Sequence, residues 1–311
     1  MIQKFDNIQK LIGNTPLIEI RYKYNKTKRT MFAKLEWFNL SGSIKDRPAF
    51  EIIKQAYISK QLKPNQTICE TSSGNMGISI CAIAKQLGYN VVICMPKFMS
   101  EERKQLLIQY GAKLELTENF KQAFVLAQDY KCRGAVLANQ FENINNAISH
   151  KKTAAEIYIK QPKISCFVSG VGTGGTILGI GKFLKQNTGS KTIAIEPQES
   201  PILSTGKSGY HKIQGLSDEI VPKLYNKKLV DKIVQINSND AICMAQKLCS
   251  KLGLGVGISS GANFLGCVLS NLNNCATVFA DDNKKYLSTD LSQKISSNLV
   301  DGIELISYKV V

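Results

Sequence analysis

Three small-residue stretches and one lysine carry the chemistry this sequence could perform. Lys45 lies in Ser41-Gly42-Ser43-Ile44-Lys45-Asp46-Arg47, between an apolar-rich segment, Phe32-Ala33-Lys34-Leu35-Glu36-Trp37, and a patterned helix from Lys45 to about Tyr57. A lysine at a strand-to-helix junction sits in a crevice. Loss of solvent there, with the positive end of the helix, would lower its pKa and make the amine nucleophilic. The same residues also read as an ordinary N-cap, Ser43, before a solvated charged turn. A second stretch, Thr71-Ser72-Ser73-Gly74-Asn75-Met76-Gly77, opens a helix through Leu87. The third, Gly170-Val171-Gly172-Thr173-Gly174-Gly175-Thr176, leaves backbone N–H groups free at a helix start, which is how a protein holds a phosphate.

Taken alone, the third stretch reads first as a dinucleotide fingerprint. Gly170, Gly172 and Gly175 satisfy G-x-G-x-x-G, and Glu196 stands about twenty residues on, where a ribose-binding acid belongs. That NAD-binding reading leaves Lys45 and the Ser72–Gly77 loop without a role. It also places the fingerprint in mid-chain, with Thr176 available to donate to a monophosphate. One phosphate cradle, one lysine at a crevice and a second small-residue loop suit pyridoxal phosphate better. A nucleoside-triphosphate loop is set aside: Gly206-Lys207-Ser208 ends like one, but Pro201 stands where its opening glycine is needed.

The elements that must position these groups alternate along the chain. A loop followed by a strand is expected over 12–20, and strands near 66–70, 90–95, 113–116, 165–169, 191–196 and 275–280. Helices are expected at 45–57, from the 71–77 loop through 87, at 100–110, 120–130 and 145–160, from the 170–176 turn to near 185, at 240–252, and from the 257–261 turn to near 272. Short alternating strands and amphipathic helices indicate a mostly parallel α/β sheet. Residues 197–224 form a Gly-, Ser- and Pro-rich loop, of a length that is usually functional inside a compact domain. The 311 residues suffice for two domains, divided softly near 145: 1–145 with Lys45 and the Ser72–Gly77 loop, and 146–311 with the phosphate loop and Ser259. The N-terminal strand is free in this scheme to pack on the second domain.

Composition narrows the class further. Forty Lys and Arg against 24 Asp and Glu give a net charge of +16, which raises nucleic-acid binding as a rival. The excess is spread along the chain, however, and its densest run, Tyr22–Arg29, reads as a basic hairpin turn. Attraction of small anions or plain solubility accounts for it as well, so no nucleic-acid partner is expected. The lack of a long apolar run argues against a membrane span. The first residues, Met1–Asp6, lack the apolar region of a secretory signal, so a cytoplasmic protein is expected. Nine scattered cysteines without a C-x-x-C pair read as reduced thiols, and only His150 and His211 are available to ligate zinc, so no metal is expected.

Ser41–Arg47, Ser72–Gly77, Gly172–Thr176 and Gly257–Gly261 occur in the order and spacing of the cysteine synthase family, of the fold type II, tryptophan-synthase-β-like pyridoxal-phosphate enzymes. The chain resembles that family from Ile12-Gly13-Asn14-Thr15-Pro16 to Lys285-Tyr286-Leu287-Ser288-Thr289. The resemblance implies two doubly wound, mostly parallel α/β domains with the cofactor in the cleft between them, commonly in a homodimer. It implies that Lys45 carries the cofactor as an imine, that Asn75 bonds the ring hydroxyl, and that Gly172, Thr173, Gly174, Gly175 and Thr176 hold the phosphate. Ser259 would face the pyridine nitrogen. Ser72, Ser73 and Gly74 would close over the substrate carboxylate, helped by Gln140. The implied reaction is β-replacement through an aminoacrylate, with sulfide adding to an activated serine to give L-cysteine. Serine and threonine dehydratases share the fold but typically show Ser-Phe-Lys and a glycine-only phosphate loop, so Lys45-Asp46-Arg47 and Thr173/Thr176 favour the synthase branch.

Two departures bear on the substrate. Met76 stands where cysteine synthases usually have threonine, removing a polar contact. After Ile213-Gln214-Gly215, where the family is usually glycine-rich and apolar, this chain reads Leu216-Ser217-Asp218-Glu219-Ile220. Asp218 could act as a base for an incoming water or thiol near Cβ, or it could be a solvated N-cap. In the first case the enzyme would consume L-cysteine, release hydrogen sulfide, and add water to give serine or a second thiol to give a thioether.

Overall fold

The structure, a computed structural model, describes residues 1–72, 74–217 and 220–311. In its first half the order is α1 (Ile2–Gln9), β1 (Leu17–Tyr24), β2 (Thr27–Leu35), α2 (Asp46–Ile58), β3 (Thr67–Thr71), α3 (Asn75–Leu87), β4 (Asn90–Pro96), α4 (Glu101–Gln109), β5 (Lys113–Thr117), α5 (Phe120–Cys132) and β6 (Val136–Leu137). The second half follows with α6 (Ile144–Lys160), β7 (Cys166–Gly170), α7 (Lys182–Thr188), β8 (Lys191–Pro197), α8 (Ile202–Thr205), β9 (Lys232–Ile236), α9 (Ser238–Leu252), α10 (Ile258–Leu269), β10 (Cys275–Phe279), α11 (Asn298–Asp301) and β11 (Ile303–Val310). A π-type turn, Ile177–Gly181, leads directly into α7.

The strands form two sheets, ordered β11-β1-β2-β10-β7-β8-β9 and β5-β4-β3-β6. The smaller sheet is parallel throughout, as is the β2-β10-β7-β8-β9 part of the larger one. The expected mostly parallel α/β class is therefore the observed one. Because successive side chains leave a strand on opposite faces, each sheet feeds two cores. Met31, Ala33 and Leu35 of β2 pack toward α9 and α10, while Phe32 joins Ala154, Ile157 and Leu184 on the other side. In the smaller sheet Ile68, Val91 and Ile93 meet α2 and α3, whereas Cys69, Val92 and Cys94 meet Ala123 and Ala127 of α5. Strands covered on both faces read as unbroken apolar runs, which is why Cys275–Phe279 was visible in the sequence.

The basic hairpin at Tyr22–Arg29 is a two-residue turn, and Asn25 and Lys26 both take positive φ (48° and 62°), the backbone that matches strand twist. This hairpin, β1 and β2, joins the larger sheet through the parallel β2–β10 pairing, although it precedes every strand of the smaller one. The short or partly exposed elements α1, β6, β9, α11 and β11 escaped the sequence reading, and α8 lies inside the stretch read as a loop. In β11 only Ile303 is buried, so this edge strand has no continuous apolar pattern to announce it. Among the described residues no helix is long and apolar enough to cross a membrane.

Candidate active site

Lys45, Asn75, Met76, Gln140, Gly172, Thr173, Gly174, Thr176 and Ser259 all line one cleft at the carboxyl ends of β3, β7 and β10. Its open and enclosed space together is about 740 Å³. A crevice at that end of a parallel sheet is where α/β folds bind ligands. Residues separated by more than two hundred positions thus meet in one place.

The lysine loop is held by its neighbours. Lys45 stands immediately before α2, half-buried, with its backbone N–H donating to Ser43 Oγ at 3.2 Å. The buried Asp46 carboxylate accepts from the Ser41 N–H at 2.7 Å and from the Ser41 hydroxyl; burial nevertheless outweighs these bonds and raises its pKa. Lys285 Nζ donates to the Ser41 and Gly42 carbonyls at 3.2 and 2.9 Å. Arg47 points away from solvent. Its Nε lies 2.6 Å from Glu36 and its Nη1 2.8 Å from Glu156. Burial alone would raise the carboxyl of Glu36, but the charge and hydrogen bonds of Arg47, with Lys34 and Thr15 behind them, hold it below the usual range. The alternative of a solvated Lys45-Asp46-Arg47 turn is therefore excluded: Asp46 and Arg47 are both buried.

The phosphate loop fits an anion. Gly174 has φ +80°, and a Cβ there would stand 2.9 Å from the Tyr225 backbone nitrogen. A Cβ on Gly175 would lie 2.0 Å from Asn146 Oδ1, so neither position accepts a side chain. Asn146 Nδ2 donates to the Thr173 hydroxyl at 2.9 Å, and the Thr176 hydroxyl lies 3.3 Å from His150 Nε2. Burial, then the charges of Arg47 and Lys45, push the pKa of His150 well down and keep the ring neutral. At the other side of the cleft, the Asn75 Nδ2 donates to Asp281 Oδ2 at 2.7 Å, and its buried Oδ1 has no partner. Asn263 fastens α10, and with it Ser259, by accepting from the Gly170 N–H and donating to the Val278 carbonyl. Two threonine hydroxyls at a glycine-rich helix start, the Asn75 amide with an N–H to spare, a lysine and a serine in one cleft fit the groups that pyridoxal phosphate requires.

Not every expected residue lines the cleft. Ser72 is buried, and its Oγ accepts from the Gly74 and Gly77 N–H groups at 3.0 Å each, closing its own loop and starting α3. Gly74, at φ +142°, packs against Arg103. Gln140 lines the cleft with its Nε2 donating to the Thr71 carbonyl at 2.9 Å. Ser73 and Asp218 lie outside the described residues. The sequence reading missed Arg103, Asn263, Asp281 and Tyr286. Arg103 sits in Glu101-Glu102-Arg103-Lys104, a run indistinguishable from a solvated helix face, yet it is 1% exposed and lines the cleft.

The pyridoxal-phosphate dependent enzyme family matches residues 8–283. The chain is 40% identical over 298 residues to cysteine synthase B of Campylobacter jejuni, covering 92% of this chain and 98% of that one. This chain belongs to the cysteine synthase family of pyridoxal-phosphate enzymes. Among solved structures it resembles a hydrogen sulfide-producing enzyme from Fusobacterium nucleatum, with 41% identity, TM-score 0.93 and all of both chains covered. It also resembles the cysteine synthase of Entamoeba histolytica, with 35% identity, TM-score 0.87, and 95% and 93% of the two chains covered. The fold type II class and the pyridoxal phosphate requirement expected from the four linked motifs are those of this family.

Proposed function

We propose that the enzyme replaces the β-substituent of an L-amino acid, adding sulfide to an activated serine to form L-cysteine as cysteine synthases do. The observation that carries this reading is the convergence of Lys45, Asn75, the 172–176 loop, Gln140 and Ser259 on one cleft. When bound, pyridoxal phosphate supplies an electron sink for the pair left when the Cα–H bond breaks. Gly172, Thr173, Gly174, Gly175 and Thr176 would hold its phosphate, Asn75 would meet the ring oxygen, and Lys45 would be its attachment point. Ser259, a neutral hydroxyl, would face the pyridine nitrogen and leave it largely unprotonated, which would favour elimination at Cβ over transamination. Once the substrate's amino group has taken its place on the cofactor, the freed Lys45 Nζ would take the Cα proton, the Cβ substituent would leave with its electron pair, the nucleophile would add to Cβ, and the proton would return from Nζ to Cα. Ser72 shapes the loop whose Ser73 and Gly74 close over the substrate carboxylate beside Gln140, and closure excludes water. Met76 offers the substrate no hydrogen bond. The enzyme works as a homodimer in the cytoplasm.

A second reading is favoured by the full-length likeness to a hydrogen sulfide-producing enzyme. In it the chain consumes L-cysteine, releases sulfide and adds water or a thiol, with Asp218 as base. Leu216 lines the cleft and Ser217 a neighbouring chamber, which supports this reading as far as residue 217. The product balance from L-cysteine alone separates the two. Sulfide with stoichiometric serine supports the second reading, and sulfide with pyruvate means plain elimination. No turnover of cysteine together with rapid reaction of O-acetylserine supports the first. A protein that stays colourless with added pyridoxal phosphate would sink both.

A further inference from the structure

Asp281 is fully buried just beyond β10, and its carboxylate is not needed by the chemistry assigned to Lys45. Its Oδ2 accepts from Asn75 Nδ2 at 2.7 Å and from the Tyr286 hydroxyl at 2.8 Å. Tyr286 in turn accepts from Arg103 Nη2 at 2.7 Å, and the guanidinium lies 4.6 Å from the centre of the Tyr286 ring and 3.7 Å from Asp281 Oδ2. Arg103 Nη1 donates to Gln214 at the cleft mouth. On its other side Asp281 Oδ1 stands where a Cβ on Gly257 would be, 2.1 Å away, against the residue that opens the Ser259 helix α10. A carboxylate there is favoured by the positive end of the helix.

An amide can present either its oxygen or its nitrogen to a neighbour. A carboxylate only accepts, so Asp281 decides the matter: the nitrogen of Asn75 must face it. The second N–H of Nδ2 and the orphaned Oδ1 are then what Asn75 has left. We propose that Asp281, held by Tyr286 and Arg103, is a positioning residue that fixes the amide orientation of Asn75 toward the cofactor's ring oxygen. This rests on the pyridoxal-phosphate reading of the cleft. An N–H aimed at that oxygen favours its deprotonated form, which absorbs at longer wavelength, so the bound cofactor itself reports the geometry.

The test is the visible spectrum of the pyridoxal-loaded enzyme at one pH, with cofactor occupancy and far-ultraviolet circular dichroism measured beside it. Asp281→Asn lets the side chain turn a donor toward Asn75. The ratio of long- to short-wavelength forms is expected to fall about tenfold, the worth of one charge-assisted hydrogen bond. Tyr286→Phe, which keeps the ring under Arg103 but removes one donor to Asp281, is expected to shift the ratio in the same direction by less. It carries the comparison if Asp281→Asn does not fold. In an Asn75→Ala background neither change should move the ratio further. An unchanged spectrum in the folded single variants overturns the proposal, as does an equal shift with and without Asn75. A wild-type chain that takes up no cofactor overturns the enzyme reading and the inference with it.

Discussion

Gly74→Ala is the perturbation that asks most of the turn that opens α3. Gly74 has φ +142° and ψ −71°, a backbone region that side-chain-bearing residues rarely enter. Holding alanine there costs roughly 1–3 kcal/mol. The new Cβ would also lie 2.2 Å from Arg103 Cδ and 2.8 Å from its Nε. Arg103 cannot swing aside freely, because Tyr286 and Gln214 hold its guanidinium and it is 1% exposed. Forcing a methyl into a filled space adds roughly 1–3 kcal/mol. The expected loss of about 2–6 kcal/mol is a large part of a typical stability of about 5–15 kcal/mol. It should appear in urea unfolding of the holoenzyme as a lower midpoint at unchanged slope. Because the phosphate loop and Lys45 are untouched, the folded variant should keep its cofactor occupancy while KM for the amino-acid substrate rises. Combining Gly74→Ala with Arg103→Ala should recover the clash part as a coupling of about 1–3 kcal/mol. A loss below about 1 kcal/mol, or no coupling to Arg103, would refute the packing argument.

Further outcomes follow from other parts of the site. Lys45→Ala should abolish the covalent cofactor absorbance without unfolding the protein; persistence of that band in purified variant would move the attachment point elsewhere. Gly175→Ala drives a Cβ to 2.0 Å from Asn146 Oδ1, so cofactor dissociation measured by dialysis should increase at least tenfold, a displaced cradle costing more than about 1.4 kcal/mol. Arg47→Met strands Glu36, which is 0% exposed, and should cost about 3–5 kcal/mol. Glu36 and Glu156 are held below the ordinary carboxylate range in the fold, so their contribution is complete above about pH 4.5 and is lost as pH falls through their lowered values. An acid-unfolding midpoint that Arg47→Met leaves in place would contradict that linkage. Burial pushes the Glu70 carboxyl up to about 8, so the folded chain holds a proton that the unfolded chain has lost. Stability should therefore decline as pH rises from about 4.5 to 8, and Glu70→Gln should flatten that decline in urea titrations.

Local chemistry made much of this protein legible in its sequence. The alternation of apolar runs with amphipathic segments was sufficient for the α/β class, because a strand covered on both faces must be apolar throughout. Asn25-Lys26 dictated a tight turn, and the glycine-rich 172–176 stretch marked a place where side chains could not be tolerated. The family resemblance pointed to Lys45, Asn75, Met76, the phosphate loop, Gln140 and Ser259, which line the cleft except for Gly175, and to Ser72 and Gly74, which do not.

Tertiary structure alone decided which charges are functional neighbours. Arg47 reads as part of a solvated turn, and Arg103 as part of a charged helix face, yet both are buried against partners distant in the chain: Glu156, Tyr286, Asp281. Nothing in a charged residue's own segment says whether a carboxylate from elsewhere will meet it, since that depends on how whole elements stack. The placement of β1 and β2 in the larger sheet has the same origin. A strand's pattern says that both of its faces are covered, but the pairing partner is chosen by the rest of the fold, here β10, some 240 residues later along the chain.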